Sequence, residues 1–258
     1  MRFLVVKRST LILGIIAAAV LALSVTAVYY TDAAAIYNNV SPKKVPIYSV
    51  ETDEKAVALT FDAAWGADKT LGILETLESK DARATFFTVS FWAEKYSDTL
   101  KKLAESDRIE IGTHSATHPY MSKLSKDKMK LELSTSKELI EGITGRKVEL
   151  FRPPFGDYSD TVLNVANDMG LYTVQWDVDS LDWKNLSKEQ ITSRIVGKCR
   201  NGSIVLMHND GEHTLEALPA VIDGLRSQGF VFKTVGELIY RDNYTIDHTG
   251  RQIRSKTT

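Results

Sequence analysis

Apolar and polar positions along most of this chain switch between two periods. Short runs rich in β-branched and aromatic residues predict strands at Ala56–Phe61, Ala84–Val89, Ile109–Gly112, Val148–Phe151, Tyr172–Asp177, Ser203–His208 and Phe230–Thr234. Between them, apolar residues at helical spacing predict helices over Lys69–Glu78, Phe91–Glu105, Lys126–Ile143, Ser159–Met169, Lys188–Cys199 and Leu215–Ser227. Asp68, Ser125 and Ser187 stand where N-caps belong, and Gly145, Gly170 and Gly229 follow the expected helix ends. Strand–helix alternation repeated this often argues for a mostly parallel sheet, doubly wound or closed into a barrel.

The N-terminus follows another pattern. Arg2, Lys7 and Arg8 precede an uncharged stretch from Ser9 to Tyr30, and the first acid is Asp32. As a helix, Leu11 to Val28 would reach about 27 Å, close to the hydrocarbon thickness of a bilayer. It reads as a membrane anchor with its N-terminus inside, or as a signal peptide cleaved near Ala33-Ala34-Ala35. The run exceeds a usual signal core, which favours the anchor, and either reading puts the remainder outside the cytoplasm. The expected organisation is an anchor or signal over 1–30, a linker over 31–48, a catalytic-size domain over 49–242 and a polar tail over 243–258.

With 258 residues, 43% hydrophobic and 25% charged, the chain can bury one sizeable core as a single domain. A net charge of −1 without a basic run excludes a nucleic-acid partner on electrostatic grounds. Cys199 is the sole cysteine, so no intrachain disulfide forms, and it reads as a small buried residue rather than a reactive thiol.

Chemistry-bearing residues gather at the C-terminal ends of the expected strands, where a β/α barrel builds its catalytic mouth. His114 and His118, four residues apart, can converge on one divalent cation; a histidine pair alone is a weak signal, but only five histidines occur in the chain. Asp62 closes the first strand and suits a general base, although an aspartate there often only caps a loop. Arg152 can orient such a carboxylate, and Pro153-Pro154 stiffen the backbone behind it. His208 ends a strand buried on both faces; Asp179 or Asp182 can bind one ring nitrogen and favour the imidazolium, an acid for a leaving amine. Trp183 and Phe155 suit a sugar-sized groove as well as they suit a core. His213 and His248 read as surface residues.

Thr60-Phe61-Asp62, His114-Ser115-Ala116-Thr117-His118, Arg152-Pro153-Pro154-Phe155-Gly156, Asp179-Ser180-Leu181-Asp182-Trp183 and Leu206-Met207-His208 together resemble the polysaccharide deacetylases of the NodB-homology type, carbohydrate esterase family four. The match runs from about Lys55 to Tyr240, and Thr-Phe-Asp-x-x-Trp-Gly looks like the sporulation-type, PdaB-like branch. The resemblance implies a distorted (β/α)7 barrel behind one N-terminal hydrophobic helix, hydrolysing N-acetyl groups of cell-wall glycan, peptidoglycan above all. It implies Asp62 as base, Arg152 as its orienting partner, and His208 as acid supported by Asp179. His114 and His118 would bind a divalent metal, zinc with cobalt or nickel as alternatives, and Trp183, Leu206, Pro153 and Phe155 would contact substrate. One position departs: members carry a second aspartate after the base as third metal ligand, and here it is Ala63. Asp68 and Asp157 are the nearest candidates to replace it.

Overall fold

Val57, Leu59 and Phe61 alternate with Ala58, Thr60 and Asp62 along β2 (Ala56–Ala63), and that alternation organises the molecule. The computed structural model describes residues 7–39 and 43–255 and divides into two units, meeting in sequence at Lys43 and Lys44. The first unit contains α1 (Arg8–Asn39), with Ile12, Ile15, Val20, Leu21 and Leu23 exposed along it.

Among the described residues, no helix is long and apolar enough to cross a membrane. The expected anchor is therefore not supported. The leading positions 1–6, with Arg2, lie outside the described residues, as do residues 40–42 of the expected linker.

The second unit begins with β1 (Ser49–Val50) and β2, then α2 (Thr70–Ser79), β3 (Ala84–Thr88), α3 (Ser90–Lys95), α4 (Ser97–Glu105) and β4 (Ile109–Thr113). There follow α5 (Lys126–Thr144), β5 (Leu150–Phe151), α6 (Asp160–Asp168), β6 (Tyr172–Thr173), β7 (Val178–Asp179), α7 (Lys188–Val196) and β8 (Ser203–His208). The chain closes with α8 (Thr214–Ser227), β9 (Val231–Phe232), α9 (Val235–Leu238), β10 (Tyr244–Ile246) and β11 (Arg251–Arg254).

Seven parallel strands run in the order β7-β8-β2-β3-β4-β5-β6 and leave the barrel unclosed between β6 and β7. Residues 174–177 join those two strands without a helix, so the barrel is distorted, as the resemblance implies, at this point. Outward residues of β2 (Val57, Leu59, Phe61, Ala63) pack beneath the helices, and Phe61 stacks on Phe86 at 4.9 Å. Inward Ala56 and Ala58 are small, leaving room along the axis for a larger side chain.

Four element expectations change. The strand expected over Tyr172–Asp177 ends at Thr173 as β6. The strand expected over Phe230–Thr234 exists as β9 but pairs with the lower end of β2, outside the seven-strand order; β7 takes the seventh place. The helix expected over Phe91–Glu105 breaks at Tyr96, whose φ and ψ are −116° and 41°. The expected polar tail instead contributes β10 and β11, β11 pairing with β1, while residues 256–258 lie outside the described part.

Candidate active site

Asp62 points into the barrel because it shares parity with Ala58 and Thr60. There it meets Arg152, which β5 delivers from the far wall and which is wholly buried. Arg152 Nη1 donates to Asp62 Oδ1 at 2.8 Å and to Thr60 Oγ1 at 2.7 Å, and Nη2 donates to the Gln175 carbonyl at 3.0 Å. Thr60 is free to accept because its own hydroxyl proton goes to the Val205 carbonyl at 2.6 Å. The guanidinium lies 4.2 Å over the Phe87 ring. Burial alone would push the Asp62 carboxyl up; Arg152, with His114 and His208, overrides it and holds the pKa below the usual carboxylate value.

His114 follows β4. Its Nδ1 lies 2.7 Å from the Arg152 carbonyl, which can only accept, so the proton sits on Nδ1 and Nε2 presents a lone pair. That Nε2 is 3.5 Å from Asp62 Oδ2. Burial holds both histidines neutral: His114 is pushed below its ordinary pKa, and His118 falls to about 4, with His114 adding to the burial effect.

Their loop is strained. Ser115 and His118 have φ of 73° and 59°, a region side chains with a β-carbon disfavour. Glu132 of α5 holds it there, accepting from Ala116 N (2.9 Å), Thr117 N (2.8 Å) and Thr117 Oγ1 (2.6 Å). Ser115 Oγ accepts from His118 N at 3.0 Å.

Two neutral imidazoles with ring centroids 4.9 Å apart suit part of a divalent-metal ligand set. The set stops at two. Among the described residues no group of three or more His, Cys, Asp or Glu is arranged to hold a metal ion. Ala63 is fully buried, and Thr88, its register partner on β3, has a buried hydroxyl without a partner. Neither proposed substitute reaches the site. Asp157 is committed to Ser122 N and Oγ at 2.7 and 2.8 Å, and Asp68 is outside the residues lining the cavity.

His208 ends β8, beside Asp62 in register. Its partner is Asp182, which corrects the assignment to Asp179. His208 Nδ1 donates to Asp182 Oδ1 at 2.7 Å, and Asp182 Oδ2 accepts from His208 N and Thr214 Oγ1 at 2.8 and 2.6 Å. Asp179 instead accepts from Leu181 N at 2.9 Å, which occupies its Oδ1 in the local turn. Burial works against the His208 imidazolium, but Asp182 prevails and raises its pKa; the same contact lowers that of Asp182.

These groups share one cavity of about 720 Å³, lined by Asp62, His114, His118 and His208, with Leu206 and Trp183. Phe155 also lines it, as expected. Pro153 does not; it is buried, and its carbonyl accepts from Gly156 N at 3.1 Å. Sequence reasoning missed Trp65 and Trp176 in the lining. Trp65 had a signal in the Trp-Gly that follows the base, whereas Trp176 sits where the expected strand dissolves. The Trp65 loop is pinned: the Gly66 carbonyl accepts from Trp92 Nε1 at 2.5 Å and Asn209 Nδ2 at 2.9 Å. Gly66 has φ 54°, a left-handed conformation that glycine adopts without strain, and a β-carbon there would also displace the Asp210 carboxyl.

An ionised carboxylate, a histidine whose pKa is raised and a pair of neutral imidazoles around one cavity are groups suited to general acid–base hydrolysis. A profile of polysaccharide deacetylases matches residues 49–174. A peptidoglycan-N-acetylglucosamine deacetylase of Bacillus cereus is 34% identical over 197 residues, spanning 74% of this chain and 92% of that protein. The uncharacterized protein YlxY of Bacillus subtilis is 33% identical over 79% of this chain, which spans only 66% of its length. Among solved structures, a CE4 family pseudoenzyme from Bacillus anthracis aligns with a TM-score of 0.73 and 32% identity, over 85% of this chain and 75% of its own. A mutant of that pseudoenzyme is described as having restored enzymatic activity, with 37% identity over 78% of this chain and 72% of its own. The chain belongs to the polysaccharide deacetylase family, carbohydrate esterase family four.

Proposed function

We propose that this protein is an N-deacetylase of cell-wall glycan, peptidoglycan in particular, and that it works outside the cytoplasm. The observation carrying this reading is the pairing of oppositely tuned groups in one cavity: Asp62 bound by Arg152 with its pKa lowered, and His208 bound by Asp182 with its pKa raised. His114 and His118 would hold a divalent metal, zinc first with cobalt or nickel as alternatives, which would supply Lewis acidity toward the amide carbonyl. Asp62 takes the proton of the attacking water. Arg152 fixes that carboxylate and keeps it charged. His208, with Nδ1 engaged by Asp182, gives the proton of its other nitrogen to the departing amine. The products are acetate and a free amino sugar.

Acetate release from N-acetylated peptidoglycan by the full chain, with zinc, cobalt or nickel added, tests the reading. Activity is expected to fall by roughly 10²–10⁴ in His208→Ala. Equal acetate release by wild type and His208→Ala under every metal would overturn it.

Ala63 favours a second reading, a glycan-binding wall protein with impaired turnover, and the pseudoenzyme neighbour is consistent with it. Calorimetric zinc titration of Ala63→Asp separates the two. A gain of roughly tenfold or more in affinity, together with acetate release absent from wild type, would favour the impaired form. Strong turnover already present in wild type would reject it.

A further inference from the structure

The opening between β6 and β7 is bordered by the segment that starts the second unit. Ile47 N donates to the Thr173 carbonyl at 3.0 Å, and the Ile47 carbonyl accepts from Gln175 N at 2.7 Å, so Ile47 bridges Val174 in parallel register. Three residues on, Val50 N donates to the Gly202 carbonyl at 2.9 Å, and Ser49 pairs with Ser203 of β8. The stretch from Ile47 to Val50 thus touches the sheet on both sides of the opening. Lys44 ties its start to α6, through its backbone N–H to Asp160 Oδ1 at 3.2 Å and its ammonium to Asn164 Oδ1 at 2.5 Å. Gln175 links this segment to the site. Its N–H is held by Ile47, and its carbonyl accepts from Nη2 of Arg152, whose Nη1 holds Asp62. Residues 175–177 belong to no strand or helix, so no ladder takes the place of Ile47 in fixing Gln175. The buried Gln175 side-chain amide makes no hydrogen bond among the described residues, which leaves its polar anchoring to the backbone. Packing repeats the connection. Ile47 is 2% exposed and belongs to the inner cluster that includes Val174 and Phe87, the ring beneath the guanidinium.

We propose that Ile47 is a positioning residue for the base: it fixes the Gln175 backbone, which in turn sets the Arg152 guanidinium against Asp62. Misplacing a reacting group by about 1 Å can cost roughly 10²-fold in rate, so a remote support of this kind bears on turnover. A catalytic constellation holds its geometry only when the residues behind it are themselves fixed. This role rests on the reading of Asp62 as base, although the mobility of Gln175 and Arg152 can be measured without turnover.

The test uses the full chain carrying Ile47→Ala, which withdraws the side chain from the cluster, or Ile47→Val, which keeps most of it. Amide hydrogen exchange at Gln175 and NMR of Arg152 guanidinium rotation report the link directly. Both are expected to quicken at least about threefold in Ile47→Ala, with exchange in β2 and β3 staying within about twofold, and Ile47→Val should match wild type. On N-acetylated glycan, Ile47→Ala should lower kcat at least about fivefold and leave KM within about twofold. Lys44→Ala loosens the same segment from an exposed position and should also quicken Gln175 exchange; it carries the test if Ile47→Ala does not fold. Unchanged exchange and rotation in a folded variant, acceleration spread evenly over β2 and β3, or a loss confined to KM would overturn the proposal. Quickened exchange and rotation with no acetate release from wild type would remove the deacetylase reading and leave the Ile47 link standing; acetate release untouched by Ile47→Ala would do the reverse.

Discussion

At the scale of single residues, the Asp62–Arg152 pair concentrates the energetics of the site. Both partners are buried, and removing one strands the other charge in a low-dielectric interior. Arg152→Met is therefore expected to cost about 3–5 kcal/mol in urea unfolding, and adding Asp62→Asn should recover part of the loss. The His208–Asp182 contact yields a prediction about pH. The folded pKa of His208 is raised, so its stabilisation is complete below the unfolded value of 6.5 and fades as pH climbs through the raised value. Asp182 is lowered from 3.8, so its share is present above that value and fades as pH falls through the lowered one. Asp182→Asn removes the anion that holds the proton on His208. The alkaline limb of the pH–rate profile should then move to lower pH.

At the scale of elements, α5 governs the histidine loop through Glu132. Glu132→Ala removes the acceptor for three donors and should cost about 1–3 kcal/mol. With the loop released, His118 should titrate nearer 6.5 than its native value of about 4, as read by proton NMR of the imidazole. Glu132→Gln, which keeps one carbonyl acceptor, should lie between. How much was legible in the sequence divides along the same line. Strands of five or more residues buried on both faces, β2, β3, β4 and β8, were readable, because their apolar runs are long enough to stand out. Ser125 and Ser187 cap as expected, but Asp68 does not, since α2 begins after Lys69 without a side-chain cap. β7 was not readable: two residues carry no period, and pairing with β8 alone defines it. Asp62, Arg152, His114, His118 and His208 were found from strand-end placement together with the family blocks. Choosing Asp182 over Asp179 needed coordinates, because both stand within one short turn and only its geometry decides which carboxylate faces β8.

At the scale of the whole molecule, the C-terminal strands complete the sheet beside β1. Gln252 is fully buried, exchanging hydrogen bonds of 2.8 Å with the backbone N–H and carbonyl of Tyr240. Ending the chain after Asp242 would strip β1 of its parallel partner and expose that edge. A fall of at least about 5 °C in Tm is expected for that truncation, corresponding to roughly 2 kcal/mol in a unit of this size.

The charged link along the barrel axis has a further consequence for how such chains diverge. Asp62 is bound to the architecture as firmly as to any chemistry, since its loss leaves Arg152 unmatched in the interior. A lineage that abandoned turnover would still keep this aspartate, whereas the neighbouring position could drift to alanine without harming the scaffold. Retention of the base is thus accounted for by the scaffold as well as by chemistry, whereas the side chain at position 63 carries no such structural duty.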